Sequence, residues 1–290
     1  MKKRKWLHLA LIVVCLMLFA GYRAMGTLAA DKTAPEISMD GQLLQVSVQD
    51  PRTALLQGVT AKDKNDGDVT SSLVVERVAL KNSDGTANVT YAAFDKAGNV
   101  TKAQREVKYT DYESPRFTLT APLAFPQNTG FDVLSIVHAQ DVVDGDVTHR
   151  VRASSLDDTV ITALGVHSIE FRVTNSLGET VELVLPLEVY LAGSFQAGLA
   201  LSDYLVYLPV GSSFNAQSYL KTFTLGTESV ALNNGLPANY ALRTSGEVNT
   251  STPGVYSVDY RVTYTRVNQT NPDLNQTYTG YSKLIVVVEG

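Results

Sequence analysis

The sequence has 290 residues, of which 44% are hydrophobic and 18% are charged, and this composition excludes a disordered chain. Lys and Arg number 24 against 29 Asp and Glu, a formal net charge of −5, which argues against a nucleic-acid-binding protein. The one cysteine, Cys15, and the one tryptophan, Trp6, lie near the amino terminus. Disulfide scaffolds, thiolate metal sites and a cysteine nucleophile are therefore excluded from the rest of the chain.

The amino terminus has the pattern of an export signal. Residues 1–5 read MKKRK, and 17 uncharged residues follow, from Trp6 to Tyr22. A basic start followed by such an apolar run directs a chain out of the cytoplasm. Residues 1–30 are therefore predicted to be either a cleaved signal peptide or an uncleaved hydrophobic anchor helix. In both cases the bulk of the chain is expected on the extracellular face of the membrane or secreted to the cell surface.

The remainder of the chain consists of three repeats. LLQGVTAKDKNDGDVTSSLVV at 55–75 aligns with VLSIVHAQDVVDGDVTHRVRA at 133–153, an offset of 78 residues. A third, more diverged copy includes PGVYSVDYRVTY at 253–264, which aligns with LGVHSIEFRVTN at 164–175. The predicted units are 31–110, 111–190 and 191–290.

Each repeat shows the alternation that is typical of half-buried β-strands. In the second repeat Ile169, Phe171 and Val173 share one face of a strand, while Ser168 and Glu170 share the other. Turn-forming residues separate such runs. Short strands in repeats of about 80 residues predict an all-β fold of three tandem Greek-key β-sandwiches. The linkers are short and not rich in Gly or Ser, so the three units are expected to form a semi-rigid rod.

The motifs of the first two repeats resemble a known family. A proline-bearing first strand is followed by A-x-D-x-x-DGD-V-T, G-x-Y-x-V-x-Y-x-V, D-x-A-G-N and a last strand. This order resembles the bacterial immunoglobulin-like repeats named after a domain of a pesticidal crystal protein, which are similar to hyalin repeats. The resemblance covers 32–190 and part of 191–290, where DGDVT and AGN are missing. It implies immunoglobulin-like sandwiches of the kind that serve as spacers, stalks, adhesive units and appendages of surface enzymes.

Acidic side chains are predicted to converge at one end of each of the first two sandwiches. In an immunoglobulin-like sandwich the two loops that carry them lie at the same end. Carboxylate and amide oxygens are ligands that suit Ca²⁺. The alternative is that Asp-Gly makes the turn and the flanking aspartates cap backbone amides. The candidate ligands are Asp63, Asp66, Asp68 and Asp95 in the first repeat and Asp141, Asp144, Asp146 and Asn175 in the second.

Charge favours the second repeat as the calcium site. Residues 111–190 hold 12 acidic and 4 basic side chains, a net charge of −8, whereas residues 32–110 hold 10 of each. Asp111 and Glu113 lie in the linker that is expected to abut this loop end, so both are further potential ligands. The sequence therefore predicts calcium at the second repeat first and at the first repeat with less support.

The third repeat contains a long final hairpin, residues 265–281. Its polar tip, Asn268–Thr277, is flanked by Tyr264, Tyr278 and Tyr281. Tyrosine beside amide side chains makes an adaptable binding surface for proteins or sugars. The same tip is also expected to point back toward the second repeat, where it would brace the junction. Bracing is the favoured interpretation, and binding stays open.

Catalysis is not predicted, because the chain has no G-x-S-x-G, no H-E-x-x-H and no glycine-rich phosphate loop. We expect an exported, non-enzymatic bacterial cell-surface protein that acts as a spacer or interaction module. No cofactor is expected to be required, and Ca²⁺ is the ion that the sequence suggests. The alternatives are an adhesin or carbohydrate-binding protein that uses the third repeat, and an accessory part of a surface hydrolase. The expected partners are the membrane, if the amino-terminal helix is uncleaved, and an unidentified extracellular protein or glycan, but no nucleic acid.

Overall fold

A computed structural model describes residues 11–21, 31–155 and 163–290. Residues 11–21 are helical and exposed. They belong to the predicted export segment, most of which lies outside the described residues, so the export prediction stays a prediction. Among the residues that the structure describes, no helix is both long enough and apolar enough to cross a bilayer.

The chain forms two compact units, Met1–Tyr112 and Glu113–Gly290. Within residues 31–112, the strands form two sheets, ordered β1-β3-β4 and β2-β7-β6-β5. Pairing is antiparallel except between β2 and β7, which are parallel. The strands are β1 (Glu36–Met39), β2 (Leu44–Val46), β3 (Val59–Asp63), β4 (Gly67–Asp68), β5 (Val74–Leu80), β6 (Thr86–Phe94) and β7 (Val100–Tyr109).

Alternation along β6 shows how the sequence builds this sandwich. Ala87, Val89 and Tyr91 point inward and are fully buried, while Asn88 between them is exposed. The inward side chains pack with Leu55 and other apolar residues in one core. The buried phenol of Tyr91 donates a hydrogen bond of 2.7 Å to the main-chain oxygen of Leu55, so its polar atom does not oppose burial.

The first part of the second unit repeats this arrangement. Its sheets, within the described residues, are ordered β11-β10-β8 and β12-β13-β14-β9, and β9 pairs with β14 in parallel as β2 does with β7. The strands are β8 (Arg116–Leu119), β9 (Ala124–Pro126), β10 (Val137–Asp141), β11 (Gly145–Asp146), β12 (Arg152–Ser155), β13 (Gly165–Thr174) and β14 (Thr180–Tyr190).

The remaining strands form a single sheet ordered β18-β17-β15-β21-β20-β19, and β16 pairs in parallel with β21. A parallel pair between an early strand and the last strand thus recurs in all three repeats. The strands are β15 (Ala197–Leu201), β16 (Leu205–Pro209), β17 (Leu220–Leu225), β18 (Glu228–Ala231), β19 (Tyr240–Ser245), β20 (Gly254–Arg266) and β21 (Gln276–Glu289).

Short 3₁₀ helices connect several strands, and the recurrent topology identifies the fold. The helices are Arg52–Leu56, Thr70–Ser72, Val133–Ser135, Thr148–Arg150, Ala216–Tyr219 and Pro272–Leu274. Two-layer packing of antiparallel strands, with parallel pairing to the last strand, is an immunoglobulin-like β-sandwich arrangement. The predicted all-β, immunoglobulin-like fold class is confirmed.

The second and third repeats share a hydrophobic core. Strand β21 is covered on both sides, because Leu284 and Val286 enter the core of the third repeat while Ile285 and Val287 enter the core of the second. Such a continuous apolar run is typical of a strand that is buried on both faces. The short linkers predicted a semi-rigid rod of three units, whereas the second and third repeats pack against each other through β21. The boundary between the two repeats stays a prediction from the sequence.

Candidate functional sites

Four aspartates converge at one end of the first unit. Asp63 ends β3, Asp66 lies in the turn that follows, Asp95 follows β6, and Asp31 precedes β1. Each offers one carboxylate oxygen, and these four oxygens lie within 4.8 Å of one another. The loops predicted to meet at this end therefore do bring Asp63, Asp66 and Asp95 together. We call these four residues the acidic cluster.

Asp63 and Asp95 are the buried members of the acidic cluster. Asp63 is 6% exposed, and its Oδ1 accepts hydrogen bonds from the backbone N–H groups of Asn65 and Asp66, at 2.7 and 2.9 Å. Its Oδ2 is buried and has no hydrogen-bond partner in the described part of the chain. Asp95 accepts two hydrogen bonds from Asn99, one from the backbone N–H at 2.8 Å and one from the side-chain Nδ2 at 2.6 Å.

Asn99 also fixes the position of Asp31. Its Nδ2 donates to the main-chain oxygens of Asp31 and Thr33, at 3.2 and 3.0 Å, which holds the start of the sandwich against the turn between β6 and β7. The Asp31 carboxylate accepts bonds from the hydroxyl and the backbone N–H of Thr33. The Thr33 hydroxyl, then the Asn65 side chain, then the Thr33 backbone N–H hold the pKa of Asp31 below its ordinary value. Asp31 is therefore ionised at neutral pH.

One lysine lies at the rim of the acidic cluster. Lys96 Nζ is 3.3 Å from Asp66 Oδ1, and the Lys96 backbone N–H donates to Asp66 Oδ2 at 2.8 Å. The lysine side chain is 83% exposed, so solvent screens its interaction with the carboxylate. Most of the negative charge of the four aspartates is consequently not balanced by this lysine.

The last aspartate of each DGD sequence caps a turn and does not join the acidic cluster. Asp68 accepts a hydrogen bond from the backbone N–H of Thr70 at 2.9 Å, and Asp146 accepts the same bond from Thr148 at 2.9 Å. The preceding Gly67 has a φ of 76°, in the left-handed region that favours glycine. For Asp68 and Asp146 the geometry thus matches the alternative interpretation, that of turn chemistry.

In the second repeat an amide replaces one of the converging carboxylates. Asp141 accepts bonds from the backbone N–H groups of Val143 and Asp144, as Asp63 does in its own turn. Asn175, which aligns with Asp95, donates its Nδ2 to Asp141 Oδ2 at 3.1 Å. The Oδ2 atom therefore accepts a hydrogen bond in Asp141, whereas the corresponding Oδ2 of Asp63 accepts none from the described residues.

Arginine and serine satisfy the other aspartate of the second repeat. Arg150 lies 2.6 Å from Asp144 Oδ2, and Ser176 donates both its backbone N–H and its hydroxyl to the same carboxylate. Burial raises the pKa of Asp144, but the bonds from Ser176 and Arg150 outweigh it and leave the pKa below its ordinary value. The second repeat was favoured as the calcium site because of its net charge over residues 111–190. That net charge does not show that Arg150 and Ser176 already pair with Asp144.

The two linker residues that were predicted as further ligands lie in different surroundings. Asp111, which aligns with Asp31, accepts hydrogen bonds from the Ser47 hydroxyl at 2.6 Å and the Val48 backbone N–H at 2.8 Å, within the first unit. Glu113 lines a cavity of about 220 Å³ that Asp141 also lines. Asp111 is thus committed to a turn of the first unit.

A buried ion network lies between the second and third repeats. Lys283 on β21 is 2% exposed, and its Nζ lies 2.6 Å from Glu188 Oε2 on β14 and 3.2 Å from Asp259 Oδ1 on β20. The Tyr281 hydroxyl lies 2.6 Å from the same Glu188 oxygen and 2.9 Å from Asp259 Oδ1. Burial, followed by these carboxylates, raises the pKa of Tyr281 and keeps its proton in place. We call these four residues the junction network.

Aromatic rings and a charged pair extend the contact around the junction network. Tyr190 of β14 and Phe195 pack against the Tyr281 ring, with centroids at 5.7 and 4.7 Å. In another part of the contact between the two repeats, the backbone N–H of Phe117 donates to the Tyr207 hydroxyl at 3.2 Å. Arg116 lies over the Tyr207 ring, 5.0 Å from its centroid, and pairs with Glu289 at 2.9 Å.

The hairpin tip of the third repeat is exposed. Residues 269–277 are all exposed, and the tip is held by its own hydrogen bonds, such as that from the Asn268 backbone N–H to Asn275 Oδ1 at 2.7 Å. The tip is therefore not packed on the second repeat, and the bracing interpretation is wrong. The physical reason is that residues further along β21 make the junction, which leaves the tip in solvent.

The three tyrosines beside the tip do not form one open surface. Tyr281 points into the junction network, whereas Tyr264 and Tyr278 are cross-strand neighbours that stack on each other, with centroids 6.4 Å apart. Tyr240 stacks on the other face of Tyr264 at 4.8 Å, and Arg266 covers Tyr278 at 5.6 Å. The faces of the Tyr264 and Tyr278 rings are therefore largely covered by neighbouring side chains.

No protein-family model and no curated protein matches this sequence. Among the solved structures, Drosophila N-cadherin EC1-3 is 14% identical, with 90% of each chain covered and a TM-score of 0.27. Mouse cadherin-23 EC22-24 is 12% identical, with 89% of this chain and 99% of that chain covered and a TM-score of 0.21. CBM51-2 in complex with GlcNAc and INT domains from Clostridium perfringens ZmpB is 12% identical, with 88% of this chain and 42% of that chain covered and a TM-score of 0.22. At these TM-scores the fold assignment rests on the strand topology of the chain itself.

Two features of these sites were missed by the sequence analysis. Asp31 aligns with Asp111, which was considered as a ligand, so the same offset of 80 residues pointed to Asp31. One feature of the sequence pointed to the junction network, namely the lysine at the start of the apolar run 283–288. An apolar run of this kind indicates a strand that is buried on both faces, and a lysine on such a strand needs a carboxylate partner. The part played by Glu188, by contrast, could not be predicted from the sequence, because it depends on which surface of the second repeat contacts β21.

Proposed function

We propose that this protein is an exported, non-enzymatic module of the bacterial cell surface, whose immunoglobulin-like repeats serve as a stiff spacer or interaction scaffold. The motifs that the first two repeats share support their membership of the bacterial immunoglobulin-like repeats that are similar to hyalin repeats. The absence of the common catalytic motifs from the sequence supports a non-enzymatic role. The observation that carries the proposal is the junction between the second and third repeats.

The shared core makes a hinge between these repeats energetically costly. Leu205, Ile285 and Val287 of the third repeat are buried against the core of the second. Burial of a large aliphatic side chain contributes about 1.5–3 kcal/mol. Separation of the repeats would expose all three side chains, so the two sandwiches are expected to move as one body. A spacer needs this property, because it must keep its two ends at a fixed distance.

The junction network adds a fixed register to this contact. Apolar side chains alone tolerate sliding, whereas a buried ammonium group needs its carboxylates at hydrogen-bond distance. If the repeats slid, Lys283 would keep Asp259 but lose Glu188, and the loss of this partner costs about 1–3 kcal/mol. The network therefore supports a single relative orientation of the second and third repeats.

The stiffness of the second unit can be measured by electron paramagnetic resonance between two spin labels. The full chain would carry Cys15→Ser, to remove the native thiol, with Thr118→Cys and Glu247→Cys on exposed positions of the two repeats. We expect one narrow distance distribution that is unchanged between low and high salt, because the contact is mostly apolar. A broad distribution would contradict the proposal of a stiff spacer.

A second candidate function, ligand binding through the third repeat, is supported by the exposed hairpin tip. A free polar loop on a rigid scaffold is a common place for recognition. We expect thermolysin to cut the native chain before Leu274, which is exposed at the tip. The matched control is Leu284 on the same hairpin, which is fully buried and should resist cleavage until the unit unfolds. Resistance of residues 268–277 to thermolysin in the native chain would count against a free binding loop.

A further inference from the structure

The unpaired oxygen of Asp63 calls for a partner that the described chain does not supply. A buried carboxylate oxygen without a hydrogen bond costs free energy, and a buried charge without a partner costs more. Here that oxygen belongs to a side chain that is more than nine-tenths buried and sits among three further carboxylates. A proton or a cation would remove the cost, but Lys96 lies at the rim and reaches only Asp66.

We propose that the acidic cluster of the first unit, Asp31, Asp63, Asp66 and Asp95, binds one Ca²⁺ ion. All four donors are hard carboxylate oxygens, the ligand type that Ca²⁺ takes at 2.3–2.6 Å. Oxygens on opposite sides of such an ion are about 4.6–5.2 Å apart. The four oxygens of the cluster lie within 4.8 Å of one another and therefore fit around one ion of this size. The absence of nitrogen and sulfur donors from the cluster argues against zinc.

The second repeat shows what the same turn looks like when it needs no metal. The turn itself requires only Oδ1 of its first aspartate, which accepts two backbone N–H bonds in both repeats. In the second repeat Asn175 and Arg150 then supply the remaining donors. The first repeat has Asp95 and Ser72 at those two positions, so it adds a carboxylate. Its cation is instead Lys96, which lies 3.3 Å from Asp66 but is 83% exposed. Turn chemistry alone does not explain this difference.

The cluster is also held in place before any ion arrives. Backbone N–H groups orient Asp63, and Asn99 orients both Asp95 and the start of the sandwich that carries Asp31. Preorganised ligands lower the cost of ordering the site on binding. The ion would join the segment before β1 to the turns after β3 and β6, which adds a cross-link at this end of the first unit. This inference is independent of the junction network and of the proposed spacer function.

Calorimetric titration of the chelator-treated full chain with CaCl₂ tests the proposal. We expect one Ca²⁺ per chain, and a melting temperature of the first unit raised by about 10 °C or more at a hundredfold excess over the dissociation constant. Asp63→Asn keeps an oxygen for the two backbone bonds but removes the charge, and it should weaken binding at least tenfold. The matched control, Asp141→Asn at the same turn position of the second repeat, should bind as the wild type does.

A second variant keeps the test decisive if Asp63→Asn unfolds the first unit. Asp31 lies at the edge of the cluster and outside the core, so Asp31→Asn should fold normally and still weaken calcium binding. MgCl₂ titrated in the same way should bind much more weakly than CaCl₂. The proposal is overturned if the wild type binds no calcium, if Asp31→Asn binds as tightly as the wild type, if Asp141→Asn loses the site, or if magnesium binds equally well.

Discussion

Replacing Glu188 with glutamine is expected to lower the free energy of unfolding of the second unit by about 1–3 kcal/mol. The substitution preserves the size of the side chain but removes the closer of the two carboxylates around Lys283, at 2.6 Å. Lys283 is almost fully buried and would keep only Asp259, at 3.2 Å. Scanning calorimetry of the full chain measures the effect as a lower transition temperature for the second unit.

The control lies on the same strand. Glu182 on β14 pairs with Arg172 at 2.8 Å, but about half of each side chain is exposed, so Glu182→Gln should cost less than about 1 kcal/mol. Adding Lys283→Met to Glu188→Gln would remove the cation that Asp259 still has, at 3.2 Å, so this double variant should be no more stable than Glu188→Gln alone. Equal losses for Glu188→Gln and Glu182→Gln would show that the junction network contributes no more than a surface pair.

Acid should remove the same contribution in the wild type. Burial raises the pKa of Glu188, but hydrogen bonds from Lys283 and Tyr281 outweigh it, so the folded-state pKa lies below the ordinary value of 4.5. Ionised Glu188 therefore stabilises the second unit at any pH above 4.5, and this contribution is lost as the pH falls through the folded-state pKa. The difference between wild type and Glu188→Gln should consequently shrink below pH 4.5.

Ile285→Ala is expected to destabilise the second and third repeats together, by about 2–5 kcal/mol. Ile285 lies on a strand of the third repeat, but its fully buried side chain belongs to the core of the second. The cavity left by the truncation would therefore weaken the contact on which both sandwiches depend. We expect denaturation of the second unit, followed by circular dichroism, to remain a single transition at a lower midpoint.

Val255 on the paired strand provides a control for this substitution. Its side chain is exposed, so Val255→Ala should change the free energy of unfolding by less than about 0.5 kcal/mol. If Ile285→Ala lowers only one of two separate transitions, the repeats fold independently. In that case the shared core does not couple them, and the stiff-spacer proposal loses its main support.

The sequence predicted the fold class because strand alternation and turn residues are local signals. In β13, Ile169, Phe171 and Val173 were assigned to one face, and all three are buried in the core. The offset between repeats likewise anticipated that the same strand arrangement would recur. Side-chain alternation along a strand depends only on backbone geometry, so a single chain carries this information.

The candidate sites were predicted less well. The net charge of a repeat can be counted from the sequence, but the charges that surround each carboxylate depend on the fold. The net charge of −8 favoured the second repeat, yet Arg150 and Ser176 occupy Asp144 there. The less acidic first repeat holds the converging carboxylates. The alignment of Asn175 with Asp95 was visible in the sequence, but the hydrogen bond from Asn175 to Asp141 requires the folded loops.

By itself the sequence determined the strands, the turns, the repeat and three of the four aspartates in the acidic cluster. Only the tertiary structure decided that β21 is covered on both faces and that Lys283 is buried between two repeats. The alternation of a strand shows which side chains share a face, but it does not show what covers each face. That depends on the docking of one sandwich against another, which involves residues such as Glu188 and Lys283 that lie far apart in the chain.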